Sequence, residues 1–401
     1  MTDRARTMPF PDNRGRERGA SFPLLCLFSF AAFFSSYLRI PVMPLFATTL
    51  GATPAQVGSI NGAFMLTAGL LSIPGGLLSD RTGRKPPIVA GVAAAALSSF
   101  LVTLCHSPGE MAAAYVLFGA GLAAFAPGML SLVADVIPPD RLGRAYGWYT
   151  TGTYIAMTLG PASGGFLAKA LGLRQVFAVS GALLLVVALL AMPLLPKDPP
   201  RRRTELHLLL AGSVALLRNR SLVACLLATA GSCIGFGVFL TFLPLYASMH
   251  GHDAADVGLI LAAQAVTNVV GRAPIGRLAD RCDRRMIVAS GLIGLTLALV
   301  LLGRAERLVP LLGCAVVMGA GMALTFTTIG AMVADQTPAV QRGLAMGMYN
   351  SCIYLGMMSG ATVMGFALQR IGYPLGFAAA GVVDLAALGL FFLLLRQGRP
   401  H

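Results

Sequence analysis

The sequence predicts an all-α membrane protein of twelve transmembrane helices, arranged as two pseudo-symmetric six-helix bundles, and three observations predict it. Hydrophobic residues make up 56% of the chain and charged residues only 11%, with a mean hydropathy of +0.76; a soluble domain carries roughly 25% charged residues. The apolar residues fall in continuous runs of the length a bilayer-crossing helix needs, without the alternation a barrel strand requires. Finally, a gapless shift of 200 residues lays the chain on itself. Gly76, Leu78, Asp80, Arg81 and Arg84 then meet Gly276, Leu278, Asp280, Arg281 and Arg284, and Pro44, Gly119, Asp135, Pro138, Gly147 and Tyr154 likewise meet identical residues. Duplicated membrane proteins place their binding site at the seam between the repeats.

The first apolar run, 22–48, follows a polar, arginine-rich segment, 1–21, and is too long for a cleavable signal, so it is read as a retained span. Runs at 56–79 and 86–105 flank a short charged loop, and those at 109–135, 145–169 and 174–195 complete an N-terminal bundle, 22–195. The sustained polar break from Pro196 to Glu205 opens a linker, 196–218. Its later part keeps apolar spacing (Leu208, Leu209, Leu210, Val214, Leu216, Leu217), which fits either a helix lying on the membrane interface or an early start to the seventh span. Runs at 219–247, 255–279, 285–304, 308–333, 344–369 and 373–396 form the C-terminal bundle, 219–396, before a short tail, 397–401.

The net charge of +14 sorts by loop. Basic residues gather before the first span (Arg4, Arg6, Arg14, Arg16, Arg18), after the second (Arg81, Arg84, Lys85) and between the sixth and seventh (Lys197, Arg201, Arg202, Arg203, Arg218, Arg220). Lys169, Arg174, Arg304, Arg307 and Arg370 alone fall on the other side. The positive-inside rule therefore puts both termini in the cytoplasm of a multi-pass inner-membrane protein. The same distribution argues against nucleic acid as the partner, since no soluble basic domain exists to carry it. The seven cysteines sit mostly inside spans with no metal-binding spacing and read as packing residues; no metal or other cofactor is expected. A phosphate-binding loop of the G-x4-G-K-[ST] type and a nucleophile–base set are both missing, which argues against an enzyme and against direct ATP drive.

Two loops carry the repeat motif: Gly76-Leu-Leu-Ser-Asp-Arg-Thr-Gly-Arg-Lys85 and Gly276-Arg-Leu-Ala-Asp-Arg-Cys-Asp-Arg-Arg285. Gly76 permits close helix approach, Asp80 sits at a helix end where it can accept hydrogen bonds, and Gly83 lets a short loop turn back. Arg84 then needs a carboxylate, for which Asp135 is the candidate; the shift produces the same pair in Arg284 and Asp335. The loops resemble the signature of the major facilitator superfamily, G-x-L-a-D-R-x-G-R-[KR], in full in the first half and with Asp283 in place of the loop glycine in the second. The resemblance implies the superfamily fold, alternating access, and a switching role for Gly76, Asp80, Arg81, Gly83, Arg84 and Asp135 and for Gly276, Asp280, Arg281, Arg284 and Asp335. Such clusters lock the cytoplasmic side in the outward-facing state.

In the fifth span, Gly147 and Gly160-Pro161-Ala-Ser-Gly164-Gly165 resemble the antiporter motif G-x8-G-x3-G-P-x2-G-G, with Ala156 at the middle glycine. Small residues let this helix approach a helix of the other half, and Pro161 bends it. The motif implies an exporter exchanging substrate for protons. Against that, Tyr115 occupies the place of an arginine often found in the fourth span, and Asp384 is the acidic residue lying well inside a span. It is the proton-coupling candidate, although the twelfth helix is peripheral in this family.

Function should show where one half carries a costly residue and its mirror does not. Arg39 mirrors Phe239 and Arg272 mirrors Ser72, and a mid-membrane charge costs about 2.5–3.5 kcal/mol even on the lenient insertion scale. Gln264, Asn268 and Arg272 follow at four-residue spacing and form one polar stripe. Arg272 lies about 12 Å inside Asp280, and Arg39 about 25 Å from Phe22. Snorkelling to the outer interface explains Arg39 structurally and a seam hydrogen bond to a backbone carbonyl explains Arg272; the functional alternative is a cavity of positive potential, suited to an anionic or polar substrate. Tyr37, Tyr154, Phe236, Thr325, Asn350 and Tyr354 are further wall candidates, as are Phe239 and Thr328. The expectation is a monomeric secondary transporter whose partners are the lipid bilayer, a small organic solute and, for an exchanger, protons. Export is the first reading, an organic-anion importer or facilitator using Arg39 and Arg272 the second, and a non-transporting sensor or scaffold the third.

Overall fold

The computed structural model describes residues 22–138, 141–196, 216–337 and 341–397. The basic N-terminal tail, most of the linker with its interfacial-helix segment, Pro338 and the C-terminal tail lie outside the described residues. Among those described, all regular structure is helical.

The first expected span is two helices. Helix α1, Phe22–Tyr37, stops and α2, Val42–Thr49, resumes after four residues of turn. Pro41 has no N–H to donate and disfavours helix at the residue before it; the chain bridges the gap with tighter bonds from Ile40 N to Tyr37 O and from Val42 N to Arg39 O, both 3.2 Å. Its repeat partner, by contrast, is one 30-residue helix, Arg220–Met249.

Helix α3, Pro54–Thr82, opens on a capping box between Thr53 and Gln56 and ends at Gly83, whose φ of 87° suits glycine. Next come α4, Lys85–Leu104, and α5, Pro108–Val136, then α6, Leu142–Leu171, joined through Gly172 to α7, Leu173–Leu194. In the second half α8 is Arg220–Met249, α9 Ala254–Ala279, α10 Arg284–Leu302 and α11 Leu308–Asp335. Helix α12, Arg342–Gln397, breaks at Gly372 (φ 74°) into two arms, 342–371 and 373–397. Asp283, standing where the first half has Gly83, has φ −61° and accepts a 2.9 Å bond from Arg285 N. The second loop thus replaces a left-handed turn with a helix cap, which accounts for the motif's departure there.

Nine described segments are long and apolar enough to cross a membrane. The expected count of twelve differs for two reasons. Helices α3 and α6, 29 and 30 residues long, are not among the nine, and the two arms of α12 run together as one 53-residue segment.

Helix α1 packs on α6 and α7, and α4 on α5 and α7; α8 packs on α12, α10 on α11 and α12, and α9 on α11. Two seams join the halves, α3 with α12 and α6 with α9, and the 200-residue shift relates them. A methyl group on Gly58 would collide with the Ala361 carbonyl oxygen, and one on Gly258 would lie 2.7 Å from the carbonyl oxygen of Pro161. Likewise Gly165 abuts Ala254, and Gly365 abuts Pro54 and Ala55. All these contacts lie toward the ends of α2 and α8, here called the far side. Toward the opposite, linker side, where α7 ends and α8 begins, Gly76, Gly147, Gly276 and Gly347 have open space where a side chain would be. The halves are closed on the far side and part toward the linker side.

Candidate functional site

Between the halves lies a cavity of about 730 Å³, within the size range of small-molecule sites. Helices α3, α5 and α6 and the α1–α2 break wall it on one side, α8, α9, α11 and the first arm of α12 on the other. Nine of the ten substrate candidates form part of that wall: Tyr37, Arg39 and Tyr154 from the first half, and Phe236, Gln264, Asn268, Arg272, Asn350 and Tyr354 from the second. Thr325 does not. Its side chain is fully buried behind the wall, facing Gly291 of α10, and Phe239 and Thr328 are buried off the wall as well.

Arg39 sits in the break itself and is 1% exposed. Its Nη1 donates to Ser99 Oγ at 2.9 Å, and its guanidinium lies 3.3 Å from the ring centre of Phe118 and 4.6 Å from that of Tyr115. Nε and Nη2 have no hydrogen-bond partner among the described residues, nor does the Tyr115 hydroxyl. The side chain therefore turns inward instead of snorkelling, into the neighbourhood of Tyr115 on α5.

Arg272 is half-buried, two turns from the linker-side end of α9. Its Nε donates to Asn268 Oδ1 at 2.9 Å, completing the polar stripe, and its guanidinium stacks 4.1 Å from the ring centre of Tyr154 in the other half. Above it on the same helix, Gln264 Nε2 meets Met322 Sδ at 3.1 Å. Arg39 and Arg272 are the only charged residues of the wall, and neither pairs with a carboxylate among the described residues.

Among the wall residues that the sequence reading did not select, one joins the halves. Asn61 of α3 donates to Thr241 Oγ1 of α8 at 2.6 Å, tying the halves together on the far side of the cavity. The rule that selected the arginines would have found it, because Asn61 mirrors Leu261 and Thr241 mirrors Pro41.

Asp384, on the second arm of α12, lies away from the wall. It is fully buried against Gly235 of α8, near Leu299 of α10, and neither carboxylate oxygen has a hydrogen-bond partner among the described residues.

The expected loop pairs are present. Arg84 Nε meets Asp135 Oδ2 at 3.1 Å, nearly buried, and Arg84 also reaches Ser79; Arg284 meets Asp335, more exposed, and donates to the carbonyl of Ala279 at 3.1 Å. Asp280 lies 4.0 Å from Arg284, while Arg81 and Arg281 are exposed; the side chain of Asp80 is outside the described set. Each pair joins helices of one half.

The glycine–proline segment of α6 needs a correction. Gly160 and Gly164 do not approach the other half; they seat α1 at its break, where a methyl group on Gly164 would collide with the Leu38 carbonyl oxygen and one on Gly160 with Tyr37. Gly165 and the carbonyls of Pro161 and Ala162 face α9 across the seam. Fewer than two turns of one helix thus serve two partners, because Gly160 and Gly164 share one face while Gly165 is turned about 100° away from it.

Comparison with known proteins agrees with this architecture. The family model described as Major Facilitator Superfamily matches residues 25–254 and again 225–401. An MFS-type transporter of Methanocaldococcus jannaschii is 25% identical over 83% of this chain and 87% of its own length. The multi-drug resistance efflux pump PmrA of Streptococcus pneumoniae is 24% identical over 86% and 88%, and the quinolone resistance protein NorA of Staphylococcus aureus 26% identical over 59% and 61%. Among solved structures, a point mutant of the nucleoside transporter NupG superposes with a TM-score of 0.80 at 14% identity, over 93% of this chain and 100% of that one. A bacterial homologue of the lysosomal transporter Spinster, inward-facing and unoccupied, gives 0.80 at 17% identity over 95% and 98%. With two matched repeats, two seams and a cavity between them, the chain belongs to the Major Facilitator Superfamily of membrane transporters.

Proposed function

We propose that this chain is a secondary transporter that exports a small organic solute by alternating access, exchanging it for protons. The observation that carries the reading is the cavity: it lies between two halves sealed on the far side and parted on the linker side, which the basic loops assign to the cytoplasm. A carrier loaded from the cytoplasm presents its site in that way. Relatives that span most of this chain's length include a multi-drug efflux pump, which supports the same direction. The bundles 22–195 and 219–396 rock about the seams as a monomer in the inner membrane, with both termini cytoplasmic. Formation of the Arg84–Asp135 and Arg284–Asp335 pairs within single halves supports a role in stiffening each half, and in this proposal Asp80 and Asp280 engage across the linker side as it closes.

Everted membrane vesicles test this. Solute should accumulate inside them when an inward-acid proton gradient is imposed, and accumulation should collapse on adding a protonophore. Accumulation only in right-side-out vesicles would turn the assignment to import, the reading that the two carboxylate-free arginines favour. A folded protein that moves no member of a broad solute panel in either orientation would point to a sensor or scaffold.

A further inference from the structure

We propose that the cavity binds an aromatic organic anion, its carboxylate taken by Arg39 and its ring held among the wall's aromatic and thioether side chains. The inference rests on the cavity being the transport site. It begins with the α1–α2 break, which repeat symmetry does not require and which presents Arg39 to the wall. Ser99 holds Nη1, and Phe118 and Tyr115 cover the guanidinium's flat surface. What remains is the Nε–Nη2 edge, two parallel donors matched to the two oxygens of a carboxylate, and among the described residues nothing accepts from either. Buried guanidinium donors are rarely left unmet unless another group fills them in some functional state.

Three further features favour the same ligand. Among the described residues the wall holds no Asp, Glu, Lys or His, so its only charges are two arginines, which repel an organic cation and attract an anion. Phe64, Phe236 and Phe326 with Met65, Met157 and Met346 give that charge an apolar, polarisable surround suited to a ring. The N-terminus of α2, which begins three residues after Arg39, has no side-chain cap and adds to the positive field. In the linker-side-open state the Arg39 edge has no exposed area, whereas Arg272 is half-exposed near the mouth. An entering anion therefore meets Arg272 first, and Arg39 after the wall adjusts.

Full-length protein in lipid nanodiscs, titrated calorimetrically with 1-naphthoate, 1-naphthamide and 1-naphthylmethylammonium, tests the inference with one ring and three charges. Naphthoate should bind about 10- to 100-fold more tightly than the amide or the cation, the difference expected of charge-assisted hydrogen bonds. Arg39→Lys should lower naphthoate affinity about tenfold, and Arg39→Met should erase the preference over the amide while the protein keeps its melting temperature, because an unpaired buried charge has been removed. Arg272→Gln should weaken naphthoate alone, giving a second readout if Arg39→Met fails to fold. Binding of the amide or cation at least as tight as naphthoate, absence of naphthoate binding by folded protein, or a preference indifferent to both arginines overturns the proposal. Vesicle transport separates this from the export reading. If the amide or cation is exported and naphthoate is not, export stands and the anion falls; if naphthoate binds as expected but is not driven into everted vesicles, the anion stands and export falls.

Discussion

Asp384 illustrates how a single side chain can contradict its surroundings. A structural carboxylate in a membrane helix is retained because hydrogen bonds repay its burial, yet both oxygens here lack partners among the described residues while Gly235 leaves room for them. A structural reading is therefore poorly supported, and the proton-coupling candidate keeps its place although it lies off the cavity wall. Asp384→Asn should change folding stability by no more than about 1 kcal/mol, since no bond is lost, but should abolish gradient-driven accumulation in everted vesicles while downhill exchange continues. Unimpaired accumulation would remove Asp384 from the coupling mechanism. At this scale much was legible: Asp384 mirrors Leu184, Arg39 mirrors Phe239 and Arg272 mirrors Ser72, so costly residues stand out against an apolar twin. Tyr115 and Ser99 were not, because a tyrosine or serine in a span is ordinary until an arginine is seen resting on it.

Among the elements, α1 and α6 depend on one another. The break in α1 exposes backbone at Leu38, and α6 approaches it closely only because Gly164 has no side chain. Gly164→Val should force the two apart, costing about 1–3 kcal/mol as overpacking does, and should lower both the melting temperature in detergent and transport. Gly147→Ala, which changes the first glycine of the same motif at a position with open space around it, should leave both unchanged. Equal damage from the two substitutions would show that the motif acts as a whole and not through the α1 contact. Ala156, where the motif has its middle glycine, is fully buried within the first half, so its methyl group is part of that packing. The sequence shows such small residues clearly but does not say which neighbour each admits, because that depends on helix rotation.

For the whole molecule, the far side carries one more cross-half contact, the exposed pair of Lys169 on α6 and Asp253 at the start of α9, 2.7 Å apart. The matched seam has no such pair, since the corresponding residues are Gln369 and Thr53. The Lys169 hydrogen bond, helped by the backbone N–H of Asp256, holds the Asp253 carboxyl below its ordinary value of 3.8. A carboxyl lowered in one state stabilises that state fully above its ordinary value, and the contribution is lost as pH falls through the lowered value. Far-side closure should therefore be insensitive to this pair at neutral pH and weaken only in acid below about 4. Lys169→Gln should shift the balance toward far-side opening by about two- to fivefold, as exposed pairs do. Cysteine accessibility on far-side seam residues, compared between the variant and the parent, measures this; unchanged labelling would leave closure to the glycine seams and the Asn61–Thr241 bond.

Repeat, spans, charge sorting and the paired motif loops are all read from the sequence, because hydrophobic length, loop charge and the identity of mirrored residues are properties of the chain taken locally. That legibility extends to which residues are unmatched, and nine of ten candidates do fall on one cavity wall. The tertiary structure decided the rest: the break in α1 at Arg39, the division of the α6 glycines between two partners, the separation of Asp384 and Thr325 from the cavity, and the closure of the far side. These depend on how helices are rotated and on how two similar bundles meet. Side-chain packing across the whole molecule sets both, and no single segment of the sequence contains that information.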